Sequence, residues 1–260
     1  MSDVFLVDVH AHLQDEKLFS ECAELVSRAS EAGVKRIINA GTCIKTSKQA
    51  IEIARQYPTC SALVGIHPHD AAEASPETAD QLRHLADLPE VVGIGEIGLD
   101  FHYNFSPPEV QIAVFKSLWS LAAELNMPAV IHVREAFDEF FAAIHDLPTP
   151  PRVMLHCFSG DLEIARRATD MGFHFSIGGA LTFTKSEMTR AVFKFFPADK
   201  IHLETDCPYL APQPKRGKRN EPAWLPLTLE YLAKLRCLSC KDMAQTLHLN
   251  AITFFGSRLA

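Results

Sequence analysis

The run Val4-Phe5-Leu6-Val7-Asp8-Val9-His10-Ala11-His12 opens the chain with an apolar stretch, Val4–Val9, that stops on two histidines. On a strand, residues i and i+2 point to the same face. His10 and His12 therefore project together, with the small Ala11 turned the other way. An open doubly wound α/β sheet would carry a glycine-rich phosphate loop after its first strand. Here the first strand ends in two imidazoles instead. Neutral imidazole is the commonest metal ligand, so the two rings can share one metal ion. They can equally be two satisfied polar groups at a strand end, and the pair alone leaves both readings open.

Working outward, apolar runs alternate with helical patterns from end to end. Seven further runs follow Val4–Val9: Val34–Ala40, Ser61–Ile66, Val91–Ile94, Ala129–His132, Val153–His156, Phe173–Ile177 and Ile201–Glu204. They are short, rich in Val and Ile and largely uninterrupted, as strands buried on both faces should be. Between them, apolar residues recur at three- and four-residue spacing over Leu18–Ala32, Ser47–Gln56, Pro76–Ala86, Pro108–Leu125, Glu135–His145, Leu162–Met171, Ser186–Phe196 and Leu225–Arg236. The residues from Lys241 to Gly256 read as one or two closing helices, and the most irregular, Pro-rich stretch is Pro208–Pro226. Eight β/α units in 260 residues predict a (β/α)8 TIM barrel, of the α/β class, occupying residues 1–260 as one domain.

Bulk properties narrow the class. No apolar run approaches the roughly 18 residues of a membrane span. Met1-Ser2-Asp3 provides no basic leader. Seven cysteines without a secretion signal suggest reduced thiols in a cytoplasm. Cys237-Leu238-Ser239-Cys240 is the one CxxC, and it lacks the second pair that a structural zinc site needs. The net charge of -7 is the wrong sign for a protein wrapped by nucleic acid. A local metal site can still bind phosphates, because bound cations outweigh nearby carboxylates.

In this fold, active sites form at the C-terminal ends of the strands. His10 and His12 close the first run, Glu96 the fourth, His132 the fifth, His156 the sixth and Asp206 the eighth. Each could be a core or loop polar group by itself. Together, six metal-competent side chains at the catalytic ends of five strands point to a metal site.

These residues lie in segments that resemble a known family. Val7-Asp8-Val9-His10-Ala11-His12, Gly93-Ile94-Gly95-Glu96-Ile97-Gly98-Leu99-Asp100, Val130-Ile131-His132-Val133-Arg134, Leu155-His156-Cys157-Phe158-Ser159-Gly160 and Glu204-Thr205-Asp206-Cys207-Pro208-Tyr209-Leu210 resemble the TatD family. That family comprises metal-dependent hydrolases of the amidohydrolase superfamily, known as deoxyribonucleases. Asn220-Glu221-Pro222 and the ending Asn250–Phe255 also fit, so the likeness spans nearly the whole chain. Two departures, His102 after Phe101 and Cys207 where Ser is common, touch no presumed ligand.

The resemblance implies an enzyme with two divalent metal ions that hydrolyses phosphodiester bonds, with DNA as substrate. One ion would be held by His10, His12, Glu96 and Asp206. The other would be held by Glu96, His132 and His156, with Glu96 bridging where related barrels carry a modified lysine. Asp206 would be the general base. Imidazole and carboxylate ligands suit Zn, Mn, Ni or Fe, and open positions admit Mg. The same ligand set could serve an amidohydrolase or esterase acting on a small molecule or an aminoacyl ester, because fold and metal do not set the substrate. A monomer or weak oligomer without membrane partners is expected.

Several other residues carry two readings. The resemblance suggests that His67, in Gly65-Ile66-His67-Pro68-His69, faces the site as a donor to phosphate or leaving group; it could equally be a turn histidine held by Pro68. Arg134 offers a planar fork suited to phosphate, or an ion pair with Glu135 or Asp138. Lys215, Arg216, Lys218 and Arg219 form a basic loop, either solvated or in contact with a nucleic-acid backbone. Glu204 could orient a ligand from below or be an internal carboxylate. His102, His145, His174, His202 and His248 read as structural or surface groups. Phe193, Phe195, Phe196, Phe254 and Phe255 read as core rather than base-stacking platforms.

Overall fold

The computed structural model describes residues 5–259; Val4 of the first expected strand and Met1-Ser2-Asp3 lie outside them. All eight apolar runs become parallel strands, and each pairs with the next in chain order. They are β1 (Leu6–Ala11), β2 (Val34–Ala40), β3 (Cys60–Val64), β4 (Val91–Asp100), β5 (Ala129–Arg134), β6 (Val153–Leu155), β7 (His174–Ile177) and β8 (Ile201–Leu203). Between and after them run α1 (Cys22–Glu31), α2 (Ile44–Gln56), α3 (Thr78–Ala86), α4 (Pro108–Glu124), α5 (Phe137–Ile144), α6 (Leu162–Asp170), α7 (Glu187–Phe195), α8 (Leu225–Leu235) and α9 (Cys240–Phe255). This is a (β/α)8 barrel. The closing segment is one helix, whose first turn is capped by the Ser239 hydroxyl accepting from the Asp242 amide at 3.1 Å. α1 starts later than Leu18 because Phe19–Glu21 forms a 3-10 turn ahead of it.

The barrel is shut just beyond the β8 end. The Asp206 amide donates to the His10 carbonyl and the His12 amide to the Cys207 carbonyl, each at 2.9 Å. Buried Asp8 reinforces the seam by accepting from the Thr205 amide at 2.8 Å and the Thr205 hydroxyl at 2.6 Å. The opening run of the chain is thus tied, through its one acidic residue, to the segment that follows the last strand.

Two apolar clusters divide the interior. The larger lies between the sheet and the helices, around Leu25, Phe115, Trp119, Phe140, Phe173, Phe175 and Phe193. The smaller joins Val7, Val9, Ile38, Leu63, Val92, Val130 and Met154 to Phe254, Phe255 and Leu259. The end of α9 therefore stoppers the barrel from its N-terminal mouth, where Asn250 also donates to the Ala198 and Ile201 carbonyls at 2.8 Å. Phe193, Phe196, Phe254 and Phe255 are buried as expected, while Phe195 is exposed.

The strand ends differ from expectation in one way that matters for the site. The apolar run of β4 stops at Ile94, but the strand continues to Asp100, so Glu96 sits inside it rather than at its end. The β4–β5 register slips between Ile94 and Ile97, then resumes as Gly98↔His132, Leu99↔Val133 and Asp100↔Arg134. Gly98 permits this: it has φ +148, and a Cβ there would lie 1.9 Å from the His132 carbonyl oxygen. Gly65 does the same for the other neighbour, since its Cβ would meet the Glu96 carbonyl oxygen at 2.7 Å. The β4–β5 pairing consequently runs on past the last β3–β4 and β5–β6 pairs.

Candidate metal centre

A cleft of about 710 Å³ opens at the C-terminal end of the barrel, lined by His12, His67, Glu96, His132, Arg134, His156 and Asp206 among others. His10 lies beneath, fully buried. All six residues expected as ligands meet here, and Glu96 is at their centre. Its Oε2 is 3.1 Å from His10 Nε2 and 3.5 Å from His12 Nε2. Its Oε1 is 2.8 Å from His156 Nε2, 3.2 Å from His132 Nδ1 and 3.3 Å from His67 Nε2. Asp206 joins on the first side, with Oδ1 3.3 Å from His12 Nε2. It is held there in a left-handed conformation, φ 53, an uncommon state for a residue with a side chain.

The far side of each ring sets its tautomer. His12 Nδ1 donates to the Ala40 carbonyl at 2.9 Å, and His132 Nε2 to Asp100 Oδ2 at 3.2 Å. His156 Nδ1 faces Glu204 Oε1 at 3.6 Å, while the Ser176 hydroxyl donates to the other Glu204 oxygen at 2.6 Å. In their neutral forms these three rings turn lone pairs towards Glu96 and Asp206. Acceptors facing acceptors at such distances require a positive charge between them. Without metal, this favours the uptake of protons by the rings. Burial opposes charging of His156, but Glu96 and Glu204 prevail and hold its pKa well above the ordinary value. His132 and His12 are raised in the same way, against burial, by Asp100 with Glu96 and by Asp206 with Glu96. Glu96 itself is held well below the carboxylate range; burial works against this and His156, His67 and His10 outweigh it. Divalent cations satisfy the same donors, which converge in groups such as His10–Glu96–His156 and His10–His12–Asp206. The donor set and its carboxylate and carbonyl backing fit a metal centre.

His67 differs. Its Nδ1 accepts from the His69 amide at 3.1 Å, so its proton sits on Nε2 and points at Glu96. Burial lowers its pKa to about 4. It is a neutral donor facing the cleft.

Two supporting residues have no role assigned from the sequence. Asp100 holds both His132 and, at 3.1 Å, His69 through its Oδ2. Burial opposes its ionisation, yet the His132 hydrogen bond and the Tyr103 amide hold it far below the usual range. Its signal is its place two pairs beyond Gly98, visible only once β4 is known to continue. Gln14 lines the cleft and donates to the same Ala40 carbonyl as His12, at 2.5 Å.

The remaining expectations resolve by position. Arg134 lines the cleft with its guanidinium 4.8 Å from the Tyr103 ring centre, and Glu135 pairs with His102 instead. In the basic loop, Arg219 is engaged away from the cleft, gripping Glu21 at 2.7 and 2.9 Å. Arg216 lies over Phe183 and Lys215 over Trp224. Cys237 and Cys240 are exposed free thiols.

The fold and this histidine–carboxylate centre define a metal-dependent hydrolase of the barrel type. The family model described as TatD related DNase matches residues 7–256, and the chain belongs to the TatD family. A relative from Salmonella typhimurium, the 3'-5' ssDNA/RNA exonuclease TatD, is 38% identical over 256 residues, covering 96% of this chain and 98% of its own. The uncharacterized metal-dependent hydrolase YabD of Bacillus subtilis is 36% identical over 251 residues, covering 96% and 98%. The crystal structure of YJJV, a TatD homolog from Escherichia coli K12, superposes with a TM-score of 0.90 at 28% identity, covering 96% of this chain and 97% of that one. No helix among the described residues is long and apolar enough to cross a membrane.

Proposed function

We propose that the chain is a two-metal phosphodiesterase that removes nucleotides from DNA. The observation that carries this reading is the division of labour at Glu96, whose two carboxylate oxygens each face a separate set of imidazoles. His10, His12 and Asp206 would hold one divalent ion with Oε2, and His132 and His156 a second with Oε1. Such a pair supplies an activated water and offsets charge on attacking and leaving oxygens.

The chain's own groups do the rest. Asp206, open to the cleft, takes the proton of the attacking water. His67 donates from Nε2 to a phosphate oxygen or the leaving group. Arg134 holds the phosphate through its fork. Asp100 and Glu204 keep His132 and His156 turned towards Glu96. The nuclease name of the Salmonella relative supports a nucleic-acid substrate. The free cysteines support a reducing, cytoplasmic setting.

The deciding experiment is digestion of end-labelled single- and double-stranded DNA with Zn, Mn, Mg, Ni or Fe added in turn, beside a chromogenic phosphodiester and acyl substrates. Metal-dependent release of nucleotides is expected. Turnover of acyl substrates with inert DNA would replace the reading with an amidohydrolase or esterase.

A further inference from the structure

Phe105 is the most exposed large apolar side chain among the described residues, at 67%, and Tyr103 is 49% exposed. Neither is a stray surface group. Their rings stack on each other, centroids 5.3 Å apart and planes 8° from parallel. Tyr103 lines the cleft, and the Arg134 guanidinium lies 4.8 Å from its ring centre. The ring of His69 meets Phe105 edge-on at 4.7 Å and Tyr103 at 5.5 Å. A cation and two aromatic rings thus form one column from the cleft wall to solvent.

The loop that carries the rings is pinned. Asp100 Oδ1 accepts from the His102 amide at 3.0 Å and the Tyr103 amide at 2.9 Å. The Asn104 side chain donates to the Phe101 carbonyl at 2.8 Å. The Ser106 hydroxyl donates to the His69 carbonyl at 2.8 Å and accepts from the Ala72 amide at 2.9 Å. Buried Gln111 donates to the carbonyls of Ser106 and Asp100 at 2.8 and 3.0 Å. Holding two apolar rings rigidly in water serves no packing purpose, since neither belongs to an apolar cluster. It does provide a preorganised π surface beside a phosphate-binding fork, the combination that single-stranded nucleic acid recognises.

We infer that Tyr103 and Phe105 form a stacking platform for an unpaired nucleobase of the strand whose phosphate enters the cleft at Arg134. The inference rests on the nuclease reading. It makes single strands the preferred substrate, because a base inside a duplex has both faces covered by its neighbours. The platform tolerates any base, since every base has a π face.

The test measures binding of oligothymidylates with a phosphorothioate backbone, each carrying one abasic site at a different position. In the wild type, one or two positions near the bound end should cost about tenfold in Kd when made abasic, a loss within the range of base–aromatic stacking. Phe105→Ala and Tyr103→Ala should bind the intact oligomer about that much more weakly and lose the distinction between intact and abasic strands. Phe105→Trp should keep it, and Phe105→Leu, apolar but without a π face, should not. A Phe105→Ala protein that still discriminates against the abasic site overturns the platform. So does a wild type that dimerises through this face, detected as a concentration-dependent mass that Phe105→Ala abolishes. A wild type that neither binds nor cleaves any oligonucleotide removes the nuclease reading, and the platform with it.

Discussion

Glu96 has two oxygens and five imidazoles around them. Replacing it with Gln keeps its shape and removes the charge that would offset the two cations proposed for this buried site, where screening is weak. Glu96→Gln should retain at most one tightly bound metal per chain and lose nearly all turnover, read by elemental analysis after gel filtration. Two metals retained would remove the bridging role even from an inactive protein. His10→Ala or His132→Ala should abolish turnover in a protein whose circular dichroism is unchanged, because barrel stability resides mainly away from the catalytic face. Asp100 allows a finer cut. It belongs to none of the converging ligand groups but fixes the His132 tautomer through Oδ2. Asp100→Asn should weaken metal affinity by about 10- to 100-fold, the usual cost of losing such a partner. Metal titration that leaves affinity unaltered would reduce Asp100 to a loop anchor.

At the scale of elements, the extension of β4 shapes the site. It carries Glu96 to the centre and Asp100 beside His132, and it leads into the Tyr103–Phe105 loop. The basic loop after β8 is the second such element, and its four cations are not equivalent. Arg219 is held by Glu21, so the proposed contact with a nucleic-acid backbone falls to Lys215, Arg216 and Lys218. Changing those three to Ala should weaken oligonucleotide binding and flatten the dependence of log Kd on log salt by about 0.7 for each phosphate no longer neutralised. Arg219→Ala should leave that slope unchanged and lower the Tm slightly. A triple variant with the wild-type salt slope would make the loop a solvated surface.

For the molecule as a whole, the catalytic end gathers charge and the opposite end is stoppered by α9. That stopper encloses a histidine pair: His174 Nδ1 lies 2.8 Å from His202 Nε2, with Lys200 Nζ 3.3 Å from His174 Nε2. Burial lowers the His174 pKa to about 4, and Lys200 adds to the effect. His202 is lowered well below its ordinary value by burial and by His174. In the unfolded chain both rings take up protons near pH 6.5, so between there and about pH 4 the unfolded state binds more protons than the native one. Stability is therefore fully present above about pH 6.5 and is lost as pH falls through this window. The pair should lower the Tm between pH 7 and pH 5 against the opposing pull of His12, His132 and His156, whose raised values favour the folded state on acidification, so a His174→Gln/His202→Gln double variant should lose less Tm over that range than the wild type. Equal drops in both proteins would mean that other groups govern the acid limb.

Much of this is legible in the order of residues. Period-two and period-3.6 apolar patterns are local, so eight β/α units and their barrel closure follow from the sequence, as does the placing of His10, His12, Glu96, His132, His156 and Asp206 at one end. What the strand pattern does not contain is length beyond the apolar run. Ile97 to Asp100 continues β4 because Gly98 lets the His132 carbonyl come close, a contact between residues far apart in the chain. From that contact come the Asp100–His132 pairing and the starting point of the aromatic loop. Aromatic residues alternate between core and surface without a local mark, so Phe195 stands exposed beside buried Phe196, and the stacked pair at Tyr103 and Phe105 could be recognised only where folding left it. Residue type and spacing determined which groups could bind a metal. The tertiary structure decided which oxygen of Glu96 faces which ring, because that depends on distances across the barrel that no local pattern encodes.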